Sequence, residues 1–243
     1  MELAGRVALV TGGGRRLGRA LAVAGGSAGA RVAVHYNSSA TGAEDAAREI
    51  RDAGGEAGTF RADLADGGAS PALVEQVVAR FGGLDVLVNS AAVMERTPLG
   101  SVTAAQWDAM FALNLRAPFL LSQAAAPALT ARRGVIVNMA DLAAFETWPA
   151  YVPHGISKAG IVQMTRALAR VLAPAVRVNA IAPGAVLLPD NWDDSSGEHL
   201  EQTTPLRRLG SPADVVGAML YLIGADYVTG ETIIVDGGRH VRA

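Results

Sequence analysis

The stretch Arg6-Val7-Ala8-Leu9-Val10-Thr11-Gly12-Gly13-Gly14-Arg15-Arg16-Leu17-Gly18 joins a short apolar run to a glycine-rich turn, and an alanine-rich segment follows. An unbroken branched run of this length reads as a strand buried on both faces. The segment after the turn, Leu17–Ala28, reads as a helix. Glycines between the two let backbone amides approach a pyrophosphate closely, and the start of the helix adds partial positive charge. The spacing is not the generic G-x-G-x-x-G. The positions that serve are Gly12, Gly14 and Gly18, with Arg15, Arg16 and Leu17 among them. Close packing alone also makes glycine-rich turns, but this one sits between the first strand and the first helix, which predicts a dinucleotide cradle.

Outward from that turn the pattern repeats. Arg31–Tyr36, a weaker run near Gly58–Ala62, Leu84–Val88, Gly134–Asn138, Val176–Ile181 and Thr232–Val235 read as further strands. Ala43–Ala53, Pro71–Phe81, Ala104–Thr130, Pro153–Leu172 and Pro212–Ile223 read as the helices among them. Ser70 and Thr103 are placed to cap helices, Pro71 and Pro212 suit a first helical turn, and Pro174 stops what precedes it. The alternation predicts an α/β fold: one doubly wound parallel sheet of about seven strands, helices on both faces, and a single domain over residues 1–243. Val186–Thr204, rich in Asp, Ser, Pro and Gly, breaks the rhythm. It predicts a loop after a strand end, with a substrate lid over about 185–204.

Composition narrows the function. Half of the 243 residues are apolar and 18% are charged, which excludes a disordered chain. A net charge of −2 leaves no general basic field for nucleic acid or an acidic membrane surface. With no cysteine, thiolate metal sites and cysteine nucleophiles drop out, and His35, His154, His199 and His240 lack close metal-ligand spacing. No apolar run approaches the roughly 20 residues that span a bilayer. Glu2 and Arg6 interrupt any signal-like N-terminus, so the expected compartment is the cytoplasm. Of the 21 basic residues one, Lys158, is lysine. A lone ammonium among guanidiniums reads either as compositional drift or as a position that needs a compact donor on a flexible stem.

The end of the second strand bears on cofactor choice. NAD enzymes tend to place a carboxylate there for the ribose 2′-hydroxyl. This chain has His35-Tyr36-Asn37-Ser38-Ser39 and no carboxylate until Glu44. An amide, hydroxyls and the nearby Arg15 suit a 2′-phosphate, which favours NADPH/NADP+ over NAD(H).

With these residues in view, the chain resembles the short-chain dehydrogenase/reductase family from Val7 to Gly238. The resemblance rests on the Thr11–Gly18 turn, Asp63-Leu64, Asn89-Ser90-Ala91-Ala92, Asn114, Ser157-Lys158-Ala159-Gly160, Pro183-Gly184 and Val235-Asp236-Gly237-Gly238. It implies a Rossmann domain, NAD(P)(H)-dependent hydride transfer, and a homotetramer or homodimer built on the long helices and the last strand. It also implies cofactor contacts from Asp63, Leu64, Asn89 and Ala91, a ribose held by Lys158, and a nicotinamide near Pro183 and Gly184. Within the family the chain is most similar to the pteridine-reductase-type branch. Arg16 in the turn, the His35–Ser39 segment, and Asp141 where most members carry the catalytic serine all match it. That branch implies Arg16 along the cofactor phosphates and towards the substrate.

One position departs from the family. Members place tyrosine four residues before the lysine, whereas His154 stands four before Lys158. The thirteen residues from Asp141 to His154 keep the family spacing, so the alignment has not slipped. Tyr151, seven residues from Lys158, precedes Pro153 and falls outside the expected helix. Positions four apart share a helix face, so His154 takes the proton-donor place in the first reading. Tyr151 swinging in, or a site with no donor, are the alternatives. Histidine titrates near neutrality and serves as acid or base. An ionised Asp141 repels a nascent alkoxide but stabilises a protonated imine, which leans towards C=N reduction.

The resemblance also implies that Asn114 supports a proton relay to Lys158; read alone, a mid-helix asparagine is a modest cost. Trp148 and Trp192 are placed either to stack on a planar substrate or simply to pack. Three functions follow for a protein whose partners are a small molecule and its own copies. The first is NADPH-dependent reduction of a small, cyclic C=N or C=O compound. The second is a carbonyl reductase or alcohol dehydrogenase with histidine as donor. The third is a catalytically impaired NADP(H)-binding sensor or oligomer partner.

Overall fold

The computed structural model describes residues 1–188 and 194–241, with 194–196 described by backbone alone. Its strands are β1 (Val7–Val10), β2 (Arg31–Tyr36), β3 (Glu56–Arg61), β4 (Val86–Asn89), β5 (Val135–Met139), β6 (Arg177–Pro183) and β7 (Thr232–Val235). They pair in parallel in the order β3-β2-β1-β4-β5-β6-β7. The helices are α1 (Arg16–Ser27), α2 (Ala40–Asp52), α3 (Ala69–Phe81), α4 (Ala104–Phe111), α5 (Ala117–Arg132), α6 (Val152–Leu172), α7 (Asp194–Thr203) and α8 (Pro212–Gly224). Chain order reverses between β1 and β4, and that switch opens a crevice beyond the strand ends.

Alternating side chains send the strands into two separate cores. Ala8, Val10, Val32, Val34, Val86 and Val88 pack on one face against α1, α2 and α8. Val7, Leu9, Ala33, Leu87, Ile136 and Val178 pack on the other against α3 and α5. Helix α2 lies close because its inward stripe is small, Ala43, Ala46, Ala47 and then Ile50 at helical spacing. Each fully buried leucine, such as Leu21 or Leu121, contributes roughly 1.5–3 kcal/mol. No described helix is long and apolar enough to cross a membrane.

The expected doubly wound sheet is present, with three local corrections. Ser70 does not cap α3: it lies inside the helix, buried, and Gly68 takes the cap position without a side-chain bond. Thr103 does cap α4, in a reciprocal pair with Gln106. The expected single helix Ala104–Thr130 is interrupted by a π-helical turn at Ala112–Arg116. Pro118 supplies a reason, because it has no N–H for the carbonyl of Asn114 four residues earlier. Finally, Val186–Thr204 is not all loop. Within it α7 forms, anchored by the buried Leu200, whose carbonyl accepts from the Thr204 hydroxyl at 2.7 Å.

Candidate active site

The glycine turn meets the geometric demands that make glycine necessary. Gly12 has φ +67°, and a Cβ on Gly18 would stand 2.2 Å from the Gly12 carbonyl oxygen. Thr11 ties the turn to the segment after β4, its hydroxyl oxygen accepting from the amides of Ser90 and Ala91 at 2.9 and 3.0 Å. Helix α1 begins with no side-chain cap from Arg15 and no acid in its first turn, so no carboxylate competes for its leading amides. Arg16 adopts φ +49° and donates to the carbonyls of Leu187 and Leu188, both at 2.9 Å. It thus links the turn to the segment after β6.

His35 lines the cleft but has a second duty. The Gly12 amide donates to its Nδ1 at 3.1 Å, which leaves Nε2–H to donate to the Ala62 carbonyl at 3.1 Å. Burial pushes its pKa below the ordinary value, against the pull of the Ala62 carbonyl and of Asp63, and so agrees with this neutral tautomer. At the end of β2, Tyr36, Asn37, Ser38 and Ser39 line the same cleft, with Asp63 and Leu64 beyond them. Glu44, the first carboxylate after that strand, is paired with Arg51.

The other end of the cleft is built from α6, the end of β5 and the segment after β4. Lys158 is buried, and its Nζ donates to the Met139 carbonyl at 2.8 Å. Burial lowers its pKa, while the charge of Asp141 pulls in the opposite direction. One turn earlier on α6, His154 places Nε2 3.6 Å from Oδ2 of Asp141 and Nδ1 3.3 Å from the Val93 carbonyl. The other Asp141 oxygen, Oδ1, accepts from the Ala143 amide at 2.8 Å and caps a short 3₁₀ turn, Leu142–Ala144. The alternative donor, Tyr151, occupies the cap position of α6 and packs edge-on against Trp148; neither ring lines the cleft. Trp148 instead donates to Glu146 at 3.0 Å, and Arg239 approaches the same carboxylate. Trp192 lies outside the described residues.

Two expected contacts sit behind the cleft wall. Asn89 is turned into the sheet: its amide donates to Asn138 at 2.8 Å, and Asn138 donates in turn to Thr165 at 2.9 Å. The two asparagines face each other on paired strands, and this bond draws Asn89 away from the cleft. Asn114, in the π turn, holds Val93 by both its amide and its carbonyl, at 2.9 and 2.8 Å, and donates to Ser157 at 3.2 Å. Val93 is the residue that sequence reasoning missed. Its backbone holds Asn114 and His154 together, and a backbone role leaves no side-chain signature.

Gly12, Gly14, Arg15, Leu17, Gly18, Ala91, Pro183 and Gly184 join these residues around one cavity of about 460 Å³, within the range of small-molecule sites. A Cβ on Gly184 would stand 2.8 Å from the Cβ of Asp236, so the chain passes tightly there. Val93, Met94, Val186 and Leu187 supply an apolar wall. Among the described residues no group of three or more His, Cys, Asp or Glu could hold a metal ion.

Comparison with known proteins gives this geometry a context. Residues 14–240 match the family profile described as enoyl-(acyl carrier protein) reductase. The 3-oxoacyl-[acyl-carrier-protein] reductase FabG of Staphylococcus aureus is 34% identical over 240 residues, covering 96% of this chain and 98% of that protein. Among solved structures, the FolM alternative dihydrofolate reductase 1 of Brucella canis, complexed with NADP, superposes with a TM-score of 0.94 at 34% identity, covering 100% of this chain and 96% of the other. A short-chain dehydrogenase/reductase from Serratia marcescens superposes with a TM-score of 0.93 at 33% identity, covering 99% and 100%. With a nucleotide-type cleft at the sheet's switch point and these relatives along nearly its whole length, the chain is an oxidoreductase and belongs to the short-chain dehydrogenase/reductase family.

Proposed function

We propose that the protein is an NADPH-dependent reductase of a small, cyclic C=N or C=O compound, acting in the cytoplasm, with C=N as the preferred target. The observation that carries this reading is the Asp141 carboxyl, which faces His154 at 3.6 Å on the cleft wall that Lys158 also lines. A carboxylate there opposes the negative charge that grows on a carbonyl oxygen during reduction. It favours a protonated imine, whose positive charge disappears as the carbon is reduced. His154 stands where most family members carry tyrosine, and the affinity to the pteridine-reductase-type branch rests on Arg16, His35–Ser39 and Asp141.

The residues present fit the cofactor. Helix α1 starts without a competing acid, and Asn37 and Ser38 stand exposed at the end of β2 with no carboxylate beside them. Arg15 adds a cation at the same edge of the cleft, where a 2′-phosphate would lie. The Brucella relative, described with NADP, agrees with that choice. When bound, the dinucleotide supplies a hydride. The chain's part is to orient the ribose through Lys158, to hold the substrate against Asp141, and to deliver one proton from the His154–Asp141 pair. Asn114 supports this corner by fixing Val93.

The span 185–204 is assigned as the substrate lid; residues 189–193 of it lie outside the described residues, and its start is tied down where Arg16 grips Leu187 and Leu188. A homotetramer or homodimer is supported by an apolar groove between α4–α5 and α6, lined by Phe111, Leu115, Phe119 and Met164, with Phe119 exposed.

The test is oxidation of NADPH by a cyclic imine and by a matched cyclic ketone. The expected result is a kcat/KM for the imine at least about 10-fold above that for the ketone, and NADPH preferred to NADH. A ketone preference supports the second reading, a carbonyl reductase with histidine as donor, which the Staphylococcus reductase favours. Tight NADPH binding with no turnover of either class supports a cofactor-binding sensor or oligomer partner.

A further inference from the structure

His154 and Asp141 differ in how far each reaches the cleft. The imidazole is 3% exposed, whereas the carboxyl side chain is 23% exposed. The Val93 carbonyl can only accept, so Nδ1 of His154 carries a hydrogen towards it. Nε2 then faces Oδ2 of Asp141 and has no hydrogen-bond partner among the described residues. The buried Nε2 has Oδ2 as its facing polar atom at 3.6 Å, and two opposed lone pairs there are unfavourable, so a proton is assigned between these atoms. The Ala143 amide fixes Oδ1. That leaves Oδ2 as the oxygen that meets both the imidazole and the cleft.

We infer that Asp141 is the catalytic residue that hands the proton to the substrate, and that His154 is the buried positioning residue that shares this proton and aims it. The inference rests on the reductase reading above. In the step, the Oδ2–H bond of Asp141 breaks and an N–H bond forms on the imine nitrogen. A carboxylate remains facing the iminium, and His154 remains a neutral imidazole with Nδ1–H on the Val93 carbonyl. The electron pair that reduces the carbon arrives with the hydride of NADPH, and a proton from solvent water then restores the shared position. Lys158 is the charged neighbour that faces Asp141; Val93, Asn114 and Ser157 present uncharged groups to this corner.

The substitutions that test this keep the shape of the site. In Asp141→Asn the amide oxygen can still accept from Ala143, and in His154→Gln the amide N–H can still reach Val93. With a cyclic imine such as 1-pyrroline, Asp141→Asn is expected to lose at least about 100-fold in kcat, while His154→Gln loses about 10-fold at unchanged KM. The double variant is expected to be no worse than Asp141→Asn alone, because the two act in series. In the free protein, ¹⁵N imidazole spectra are expected to show Nδ1 of His154 protonated in both wild type and Asp141→Asn, with the Nε2 signal displaced by that substitution. Losses that multiply, a larger loss from His154→Gln, or an Nε2 signal indifferent to Asp141 would overturn the inference and make the imidazole itself the donor. Wild-type protein that binds NADPH and reduces neither imine nor ketone would sink the reductase reading itself.

Discussion

Nζ of Lys158 donates to the carbonyl oxygen of Met139 at 2.8 Å, which ties the second turn of α6 to the last residue of β5. A buried ammonium held by one carbonyl is costly, and the neighbouring Asp141 charge offsets only part of that cost. Lys158→Met is therefore expected to separate stability from function. Its thermal midpoint should equal or exceed that of the wild type, while NADPH affinity falls about 10- to 100-fold with the loss of charge-assisted hydrogen bonds. Calorimetry and cofactor fluorescence titration measure the two effects on one sample.

Tyr151 is seated against Trp148 at the start of α6 and does not line the cleft. Tyr151→Phe is expected to keep imine reduction within about twofold of wild type. On the proposed reading of the site, His154→Tyr puts a phenol at the donor position and is expected to raise turnover of a cyclic ketone. Steady-state assays on both substrates check the pair. An inactive Tyr151→Phe would move the donor role to the phenol.

The end of β2 is open to anions because Asn37, Ser38 and Ser39 carry no charge. Ser38→Asp places a carboxylate where a 2′-phosphate would lie. NADPH affinity is expected to fall at least about 10-fold through like-charge repulsion, with NADH affinity unchanged or improved. Dissociation constants for both nucleotides, measured at one fixed ionic strength, give the answer.

His35 couples the glycine turn to the pH scale. Its ordinary value is 6.5, and burial lowers it in the folded protein. Below about pH 6.5 the unfolded chain therefore takes up a proton that the folded chain resists. Stability is expected to decline as pH falls from there through the lower folded value, by at most about 1.4 kcal/mol per pH unit from this group. Urea titrations across the range follow the slope, and His35→Phe should flatten it. That variant should also cost about 2–4 kcal/mol near neutrality, by stranding the Gly12 amide and the Ala62 carbonyl.

What the sequence disclosed depended on whether side chains or backbone did the work. The glycine turn was legible because Gly12 and Gly18 leave no room for a Cβ, and residue identity records that directly. The one-turn separation of His154 and Lys158 was legible because helical spacing fixes a shared face. Residues that act through the peptide unit were hidden, as Val93 shows. Asn89 was misread because a strand-end amide can face the cleft or its neighbour across the sheet, and only the register with Asn138 decides. The π turn did leave a trace in Pro118, which an unbroken helix from Ala104 to Thr130 passes over. Helix α7 was concealed by its polar composition, with Leu200 as its apolar anchor.

Lys158 is the chain's one lysine, so acyl donors and aldehydes find a single ε-amine on this molecule, and they find it in the cleft. Other proteins dilute such chemistry over many harmless surface sites. If Lys158 holds the ribose as proposed, any lysine acetylation at all would inactivate the protein, and protection of that amine by nucleotide would report directly on how much of it is loaded.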